Sequence, residues 1–182
     1  LYYHERDTAY LNFLVSKDAR VLDIGCGNGW LLSKVNATSK VGIDLSPSMV
    51  NVARVNCPDA KIFQADIESK SDLKKIKNYA PYDYIFLSDT LAFLDDIAVG
   101  LENVRHLCEP STRIIISSYN QLWEPFLKFG EIVGQKQRTN FDLNWISYDD
   151  IKSFCLLGNL DLLTHESHQL IPFYFFGIGH LV

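Results

Sequence analysis

The sequence predicts an α/β fold with a mostly parallel sheet and helices on both of its faces. Short β-branched or aromatic runs alternate with segments of helical period, as they do in successive βαβ units. Acidic residues follow the predicted strands at intervals of 21, 22 and 23 residues. Of the 182 residues, 47% are hydrophobic, which is enough for one domain with a substantial core. We therefore expect a single α/β domain.

Five apolar runs are predicted to form strands. Each is short, rich in β-branched or aromatic residues and bounded by polar or glycine-containing segments, as buried strands are. They cover residues 20–24, 40–43, 61–64, 83–87 and 112–118.

Three helix starts are marked by capping residues. Ser46 followed by proline gives an N-cap with proline at the first helical position. Asp95 is the predicted cap of a helix whose apolar residues recur every three or four positions until Glu109 and Pro110. Ser147 and Asp150 form a capping-box-like start, and Gly158 is the predicted end of that helix.

Four acids stand at the ends of predicted strands. Asp23, Asp44, Asp66 and Asp89 are separated by one helix plus one strand each. We expect them along the carboxyl edge of the sheet, where open α/β folds bind ligands.

The segment GCGNG at residues 25–29 follows the first predicted strand. Glycines there let the backbone turn sharply and let a ligand approach where a Cβ atom would clash. A dinucleotide fingerprint needs Gly-x-Gly-x-x-Gly, but Trp30 stands at its last position. Asp23 would also repel a pyrophosphate, so it favours a ligand that carries positive charge.

Four segments resemble, in order and at the right intervals, the motifs of class I S-adenosylmethionine-dependent methyltransferases. VLDIGCGNG at 21–29 resembles motif I, and VGIDLSPSMV at 41–50 resembles the second-strand motif. IFQADIES at 62–69 and YDYIFLSDTLAFL at 82–94 resemble the third and fourth. The similarity covers roughly residues 10 to 120.

The resemblance implies S-adenosylmethionine as cofactor, with S-adenosylhomocysteine as its product. It assigns Asp44 to the two ribose hydroxyls and Asp66 to the adenine amino group, and charge-assisted hydrogen bonds suit both roles. Alternatively, Asp44 only precedes a helix cap, Asp66 only ends a strand and Met49 only packs in the core. The predicted cofactor-binding residues are Asp23, Gly25, Cys26, Gly27, Gly29, Asp44, Leu45, Met49, Asp66, Ile67 and Ser88.

The resemblance also implies a Rossmann-like, seven-stranded sheet of order 3-2-1-4-5-7-6 with the last strand antiparallel. Residues 160–172 and 173–182 would supply the last two strands. Within the single domain, residues 1–18 would form an N-terminal helix that covers the cofactor. Residues 19–120 would form the cofactor-binding core, and residues 121–182 the acceptor side.

Methyl transfer requires alignment of the acceptor and sometimes removal of a proton. Asp89 and His4 are the candidate catalytic residues, although Asp89 can equally cap a turn and His4 can be a solvated side chain. Residues 87–90 lack the Asn/Asp-Pro-Pro-aromatic tetrapeptide of enzymes that methylate flipped bases. The predicted acceptor pocket contains Tyr119, Asn120, Trp123 and Trp145, which can alternatively be core residues.

Residues 105–131 and 144–154 resemble a bacterial methyltransferase subgroup associated with glycosyltransferases. We expect a small-molecule, lipid-linked or glycan-linked acceptor. The alternatives are a non-catalytic module that keeps this fold to bind a cofactor or partner, and a nicotinamide oxidoreductase.

Charge and composition exclude several other classes. The net charge of −5 and the lack of a dense basic stripe argue against nucleic acid. The histidines show no metal-ligand spacing, so no metal site is predicted. No basic-then-apolar leader opens the sequence, and no apolar stretch approaches the roughly 20 residues of a membrane span. Four scattered cysteines suggest reduced thiols, so we expect a cytoplasmic protein. For residues 170–182 we expect a core strand, with contact to a membrane surface as the alternative.

Overall fold

A computed structural model describes residues 2–118 and 146–166, with side chains from residue 8 onward. Its centre is a sheet of five strands in the order β3-β2-β1-β4-β5. All four neighbouring pairs are parallel. The strands are β1 (Arg20–Ile24), β2 (Ser39–Asp44), β3 (Lys61–Gln64), β4 (Tyr84–Ser88) and β5 (Arg113–Ser117). The five predicted strands therefore exist, each within one residue of its predicted bounds.

Helices lie before, between and after the strands. They are α1 (Tyr2–Leu14), α2 (Trp30–Lys34), α3 (Pro47–Asn56), α4 (Lys70–Lys77), α5 (Ile97–Arg105) and α6 (Tyr148–Leu157), with a short 3-10 turn at Leu91–Phe93. The N-cap at Ser46 and the capping box of Ser147 and Asp150 are confirmed.

The sheet separates two apolar layers. On β1, Val21 packs with buried residues of α1, α2 and α3, such as Leu11 and Leu32. Leu22 packs on the opposite face with buried residues of α4 and α5, such as Leu101. The alternation follows from the period of two in a strand. Helices on both faces of the sheet, as predicted, leave its carboxyl edge as the place for a site.

The cap of α5 differs from the prediction. Asp96 fills that position, because its carboxylate accepts a hydrogen bond of 3.0 Å from the backbone N–H of Val99. Asp95 lies one residue too early for this bond. The helix ends at Arg105, and residues 106–109 are no longer helical.

The order 3-2-1-4-5 agrees with the expected sheet, and the antiparallel last strand remains a prediction. Residues 160–166 form neither helix nor strand, so the predicted strand 160–172 does not begin at its expected start. The rest of that strand and all of 173–182 lie outside the described residues.

All four cysteines are free. None of the helices in the described ranges has the length and apolar character needed to cross a membrane.

Candidate functional site

The glycine segment forms a tight loop between β1 and α2. Gly25, Gly27 and Gly29 have φ angles of 73°, 52° and 76°, in the left-handed region that glycine adopts without strain. The backbone N–H groups of Gly25 and Cys26 both donate to the carbonyl of Ile43, at 2.8 and 2.9 Å. The loop is therefore attached to the end of β2.

The three glycines face different surroundings. A Cβ atom on Gly25 would lie 2.5 Å from the Thr90 hydroxyl oxygen, and one on Gly29 would lie 3.0 Å from Ala53. A Cβ atom on Gly27 would meet no described atom within 4 Å. The first and third glycines are thus required by packing, whereas the second borders open space that a ligand can enter.

Asp44 links this loop to the start of α3. One carboxylate oxygen accepts from the Gly27 N–H at 2.8 Å, and the other accepts from the Ser46 N–H at 2.9 Å. Each oxygen keeps a further lone pair. A half-buried carboxylate held in this way can accept from two ligand hydroxyls without moving.

Asp23 is the buried acid of the site, with an exposed fraction of 1%. Its Oδ2 atom has no hydrogen-bond partner among the described residues. Burial, with a smaller contribution from the charge of Asp44, raises the pKa of Asp23 to about 7. An ionised carboxylate here lacks a counter-ion, so a cationic ligand would compensate it.

Cys26 turns its thiol into the core. Its side chain is 6% exposed and packs with Leu32 and other apolar residues. Burial raises the pKa of this thiol well above its usual value. Only the backbone of Cys26 is therefore suited to contact a ligand.

The third acid follows β3 beside the end of β2. The N–H of Ala65 donates to the carbonyl of Asp44 at 3.1 Å. One oxygen of Asp66 accepts from the Glu68 N–H at 2.8 Å, which folds residues 66–68 into a compact turn. Ile67 is 5% exposed and packs in the core.

Two apolar side chains lie on the surface after β2. Leu45 is 66% exposed and Met49 is 44% exposed. The alternative interpretation of Met49 as a core residue is therefore wrong, because the buried residues of α3 are Val50 and Ala53. Exposed apolar groups next to Asp44 can cover the flat face of a bound base.

The end of β4 carries the candidate acceptor-side residues. Asp89 follows Ser88, has a φ angle of 55° and donates its N–H to the carbonyl of Ser117 at 3.0 Å. Positive φ is uncommon for residues other than glycine and occurs often at functional sites. The buried Thr90 hydroxyl donates to the carbonyl of Ile24 at 2.7 Å, so the ends of β4 and β1 are directly connected.

For several predicted residues the structure describes no side chain. His4 lies in α1, but its side chain is outside the described set. Tyr119, Asn120, Trp123 and Trp145 lie outside the described residues and stay predictions. His165 packs its ring on Tyr148, with a centroid distance of 4.1 Å. Within the described ranges, no cluster of His, Cys, Asp or Glu is suited to a metal ion.

Sequence reasoning missed three residues that shape the site. Thr90 bonds across 66 positions of the chain, and Asn103 and Glu68 join the turn after β3 to α5. A threonine, an asparagine and a glutamate carry no pattern that reveals partners so far away. Only Glu68 could have been found from the sequence, because it stands two residues after the strand-end acid Asp66.

Comparison with known proteins agrees with this geometry. The family model described as a methyltransferase domain matches residues 3–164. Over 114 residues the chain is 35% identical to the ubiquinone biosynthesis O-methyltransferase of Xylella fastidiosa, a match that covers 60% of this chain and 45% of that protein. The corresponding protein of Bradyrhizobium diazoefficiens is 26% identical over 122 residues, 67% of this chain and 47% of that one. The chain thus spans about half the length of the curated relatives it matches.

Solved structures share the fold at low sequence identity. One is a SAM-dependent methyltransferase, possible histamine N-methyltransferase, of Thermotoga maritima. It has a TM-score of 0.61 and 16% identity, over 86% of this chain and 72% of that one. A sugar N-methyltransferase of Streptoalloteichus gives a TM-score of 0.52 and 21% identity, over 64% and 49% of the two chains. The chain belongs to the methyltransferase domain family, which implies S-adenosylmethionine as its cofactor.

Proposed function

We propose that this chain binds S-adenosylmethionine at the carboxyl edge of β1, β2 and β3 and transfers the methyl group to a small-molecule acceptor. The observation that carries the proposal is the buried Asp23, whose Oδ2 has no partner among the described residues. It stands two residues before the first of three left-handed glycines in the loop. A cationic ligand next to that loop removes the cost of the buried charge.

The residues of the edge suit the parts of this cofactor. Asp23 matches the positive charge of its amino-acid end, and the open space at Gly27 admits backbone contact. Asp44 offers two oxygens to the ribose hydroxyls, each already oriented by a backbone N–H. Asp66 keeps one oxygen clear of its bond to Glu68, and that oxygen is assigned to the adenine amino group. Leu45 and Met49 cover the base.

Bound at this edge, S-adenosylmethionine supplies a methyl group on a positively charged sulfur. The chain must then hold the acceptor in line with that methyl group and keep water away. A hydroxyl or amine loses a proton when it gains a methyl group, and Asp89 is our candidate to accept that proton. Its fixed backbone beside Ser117 keeps it at the end of β4.

The acceptor class is proposed from the curated relatives. Their printed names include ubiquinone biosynthesis O-methyltransferase and malonyl-[acyl-carrier protein] O-methyltransferase. These names favour a small or carrier-linked acceptor with an oxygen nucleophile. A lipid-linked or glycan-linked acceptor, and a glycosyltransferase as partner, fit the same proposal.

Calorimetric titration with S-adenosylmethionine and S-adenosylhomocysteine tests the binding step. We expect both to bind the native chain, and we expect Asp44→Ala to weaken each at least tenfold, because two charge-assisted bonds are lost. Asp18→Ala is the matched control, since this exposed acid precedes β1 at the opposite edge of the sheet. If neither ligand gives a binding heat with the native chain, the proposal is contradicted.

Turnover is tested separately with a methyl-labelled cofactor and a panel of hydroxyl-bearing and amine-bearing acceptors. Transfer of label that is lost in Asp89→Asn supports catalysis. Binding without transfer across the panel would instead favour a non-catalytic module.

A further inference from the structure

Helix α5 contains one buried polar side chain on an otherwise apolar face. Asn103 is 1% exposed, and the other buried residues of the helix are Ile97, Gly100, Leu101 and Val104. Its side-chain amide donates to the carbonyl of Ile67 at 2.9 Å, across 36 positions of the chain. Asn103 therefore reaches the turn that follows β3.

Asn103 is not the residue that stability alone would select. Its Oδ1 atom has no partner among the described residues, and an unpaired buried amide oxygen costs free energy. A leucine at this position would pack with the neighbouring apolar groups. What the asparagine adds is a donor for the carbonyl of Ile67, a residue that is itself buried.

A second contact joins the same turn to the start of α5. One Glu68 oxygen accepts from the Asp96 N–H at 2.6 Å, and the other accepts from the Asp95 N–H at 3.1 Å. Two successive residues of the turn, Ile67 and Glu68, are thus bonded to α5 and to its start. The bond of Asn103 is buried, and the Glu68 carboxylate uses both of its oxygens.

We propose that Asn103 and Glu68 are positioning residues for recognition of the adenine ring. The proposal rests on the proposed function, in which Asp66 accepts from the adenine amino group. Asp66 directly precedes the two residues that are held, and its carboxylate is bonded to the Glu68 N–H. Any displacement of residues 67 and 68 moves the carboxylate away from the base, and recognition tolerates only about 0.5 Å.

Two ligands separate this role from general stabilisation. One is S-adenosylhomocysteine, and the other is S-inosylhomocysteine, in which an oxygen replaces the adenine amino group. The native chain should prefer the adenine form at least tenfold, because the analogue leaves Asp66 facing an oxygen. In Asn103→Leu, affinity for the adenine form should fall about tenfold and the preference should shrink towards one. Glu68→Ala should show the same change at about threefold.

Tyr82→Phe is the matched control. The Tyr82 hydroxyl donates to the carbonyl of Ile76 at 2.6 Å, so this bond, like that of Asn103, is buried and joins a side chain to a backbone carbonyl. Tyr82 precedes β4 and therefore lies at the edge of the sheet opposite to the candidate site. This variant should lose stability in urea but keep both affinities. All titrations are made at a temperature well below the Tm of each variant, so that unfolded protein does not contribute to the binding signal.

The outcomes distinguish the two proposals. Failure of the native chain to bind S-adenosylhomocysteine overturns the proposed function. Tight binding with no preference for adenine overturns the positioning role together with the assignment of Asp66 to the adenine amino group. An unchanged preference in both variants overturns only the positioning role. If Asn103→Leu does not fold, Glu68→Ala decides, because its side chain is only half-buried.

Discussion

Asp23 shows at the scale of one residue how burial of a carboxylate opposes stability. It lies on β1 between Gly42 of β2 and Phe86 of β4, and its side chain is 1% exposed. Burial, together with the charge of Asp44, raises its pKa to about 7. The folded protein therefore holds this proton more tightly than the unfolded chain does.

This difference predicts a pH-dependent loss of stability. The contribution of Asp23 to the free energy of unfolding should fall as the pH rises from about 4 to about 7. The fall is about 1.4 kcal/mol for each unit of difference between the folded and unfolded pKa values, and above about pH 7 the contribution stays constant. Asp23→Asn removes the titration. Between pH 5 and pH 8 the native chain should therefore lose roughly 2–3 kcal/mol more than Asp23→Asn does.

Urea unfolding of both proteins at the two pH values measures the difference, because titration of other groups cancels in it. Equal pH dependence would show that Asp23 ionises in the folded state as easily as in the unfolded chain.

Single residues also mark the limit of sequence reasoning. The spacing of the strand-end acids predicted that Asp23 and Asp44 would lie at one edge, since βαβ connections have nearly constant length. It did not predict that Asp44 would accept from Gly27, or that Thr90 would bond to Ile24. Such contacts depend on side-chain direction and on loop geometry, which no local pattern encodes.

At the scale of elements, strands were predicted better than helix ends. A buried parallel strand is a continuous apolar run that polar residues stop abruptly, so its bounds are visible in the sequence. The start of α5 has two adjacent aspartates, and only geometry shows that Asp96 accepts from Val99. The spacing predicted a helix in each interval, but α2 has only five residues and left no distinct pattern.

The cap of α5 gives a prediction at this scale. Asp96→Ala should lower the free energy of unfolding by about 1 kcal/mol, because the N–H of Val99 loses its acceptor. Asp95→Ala is the control and should change it by less than about 0.5 kcal/mol. Urea denaturation of the two variants makes the comparison, and an equal loss in both would contradict the assignment of the cap.

For the whole molecule, the fold class and the central strand order followed from the alternation of patterns and from the resemblance. The cofactor itself was foreseen because the motifs that identify the family are short local segments at strand ends. The predicted acceptor residues between 119 and 145 lie outside the described residues, and an acceptor pocket depends on how distant segments meet. Its chemistry is therefore the part that the sequence least constrains.

Folding, protonation and ligand binding should be linked across the whole molecule. A ligand at 100 times its Kd stabilises the folded state by about 2.7 kcal/mol, which corresponds to a rise of roughly 5–10 °C in Tm for a chain of this size. S-adenosylhomocysteine carries an ammonium group, and the proposed site places it where Asp23 needs a positive charge.

The rise in Tm should consequently be larger at pH 8 than at pH 6. At pH 6, below the pKa of about 7, Asp23 is mostly protonated in the free protein. The ligand must then displace that proton in order to pair with the carboxylate. In Asp23→Asn the rise should be smaller and the same at both pH values. Thermal unfolding of the two proteins at one fixed ligand concentration provides the measurement. A rise that is independent of pH in the native chain would mean that the ligand's charge lies away from Asp23, and the proposed orientation of the cofactor would then be wrong.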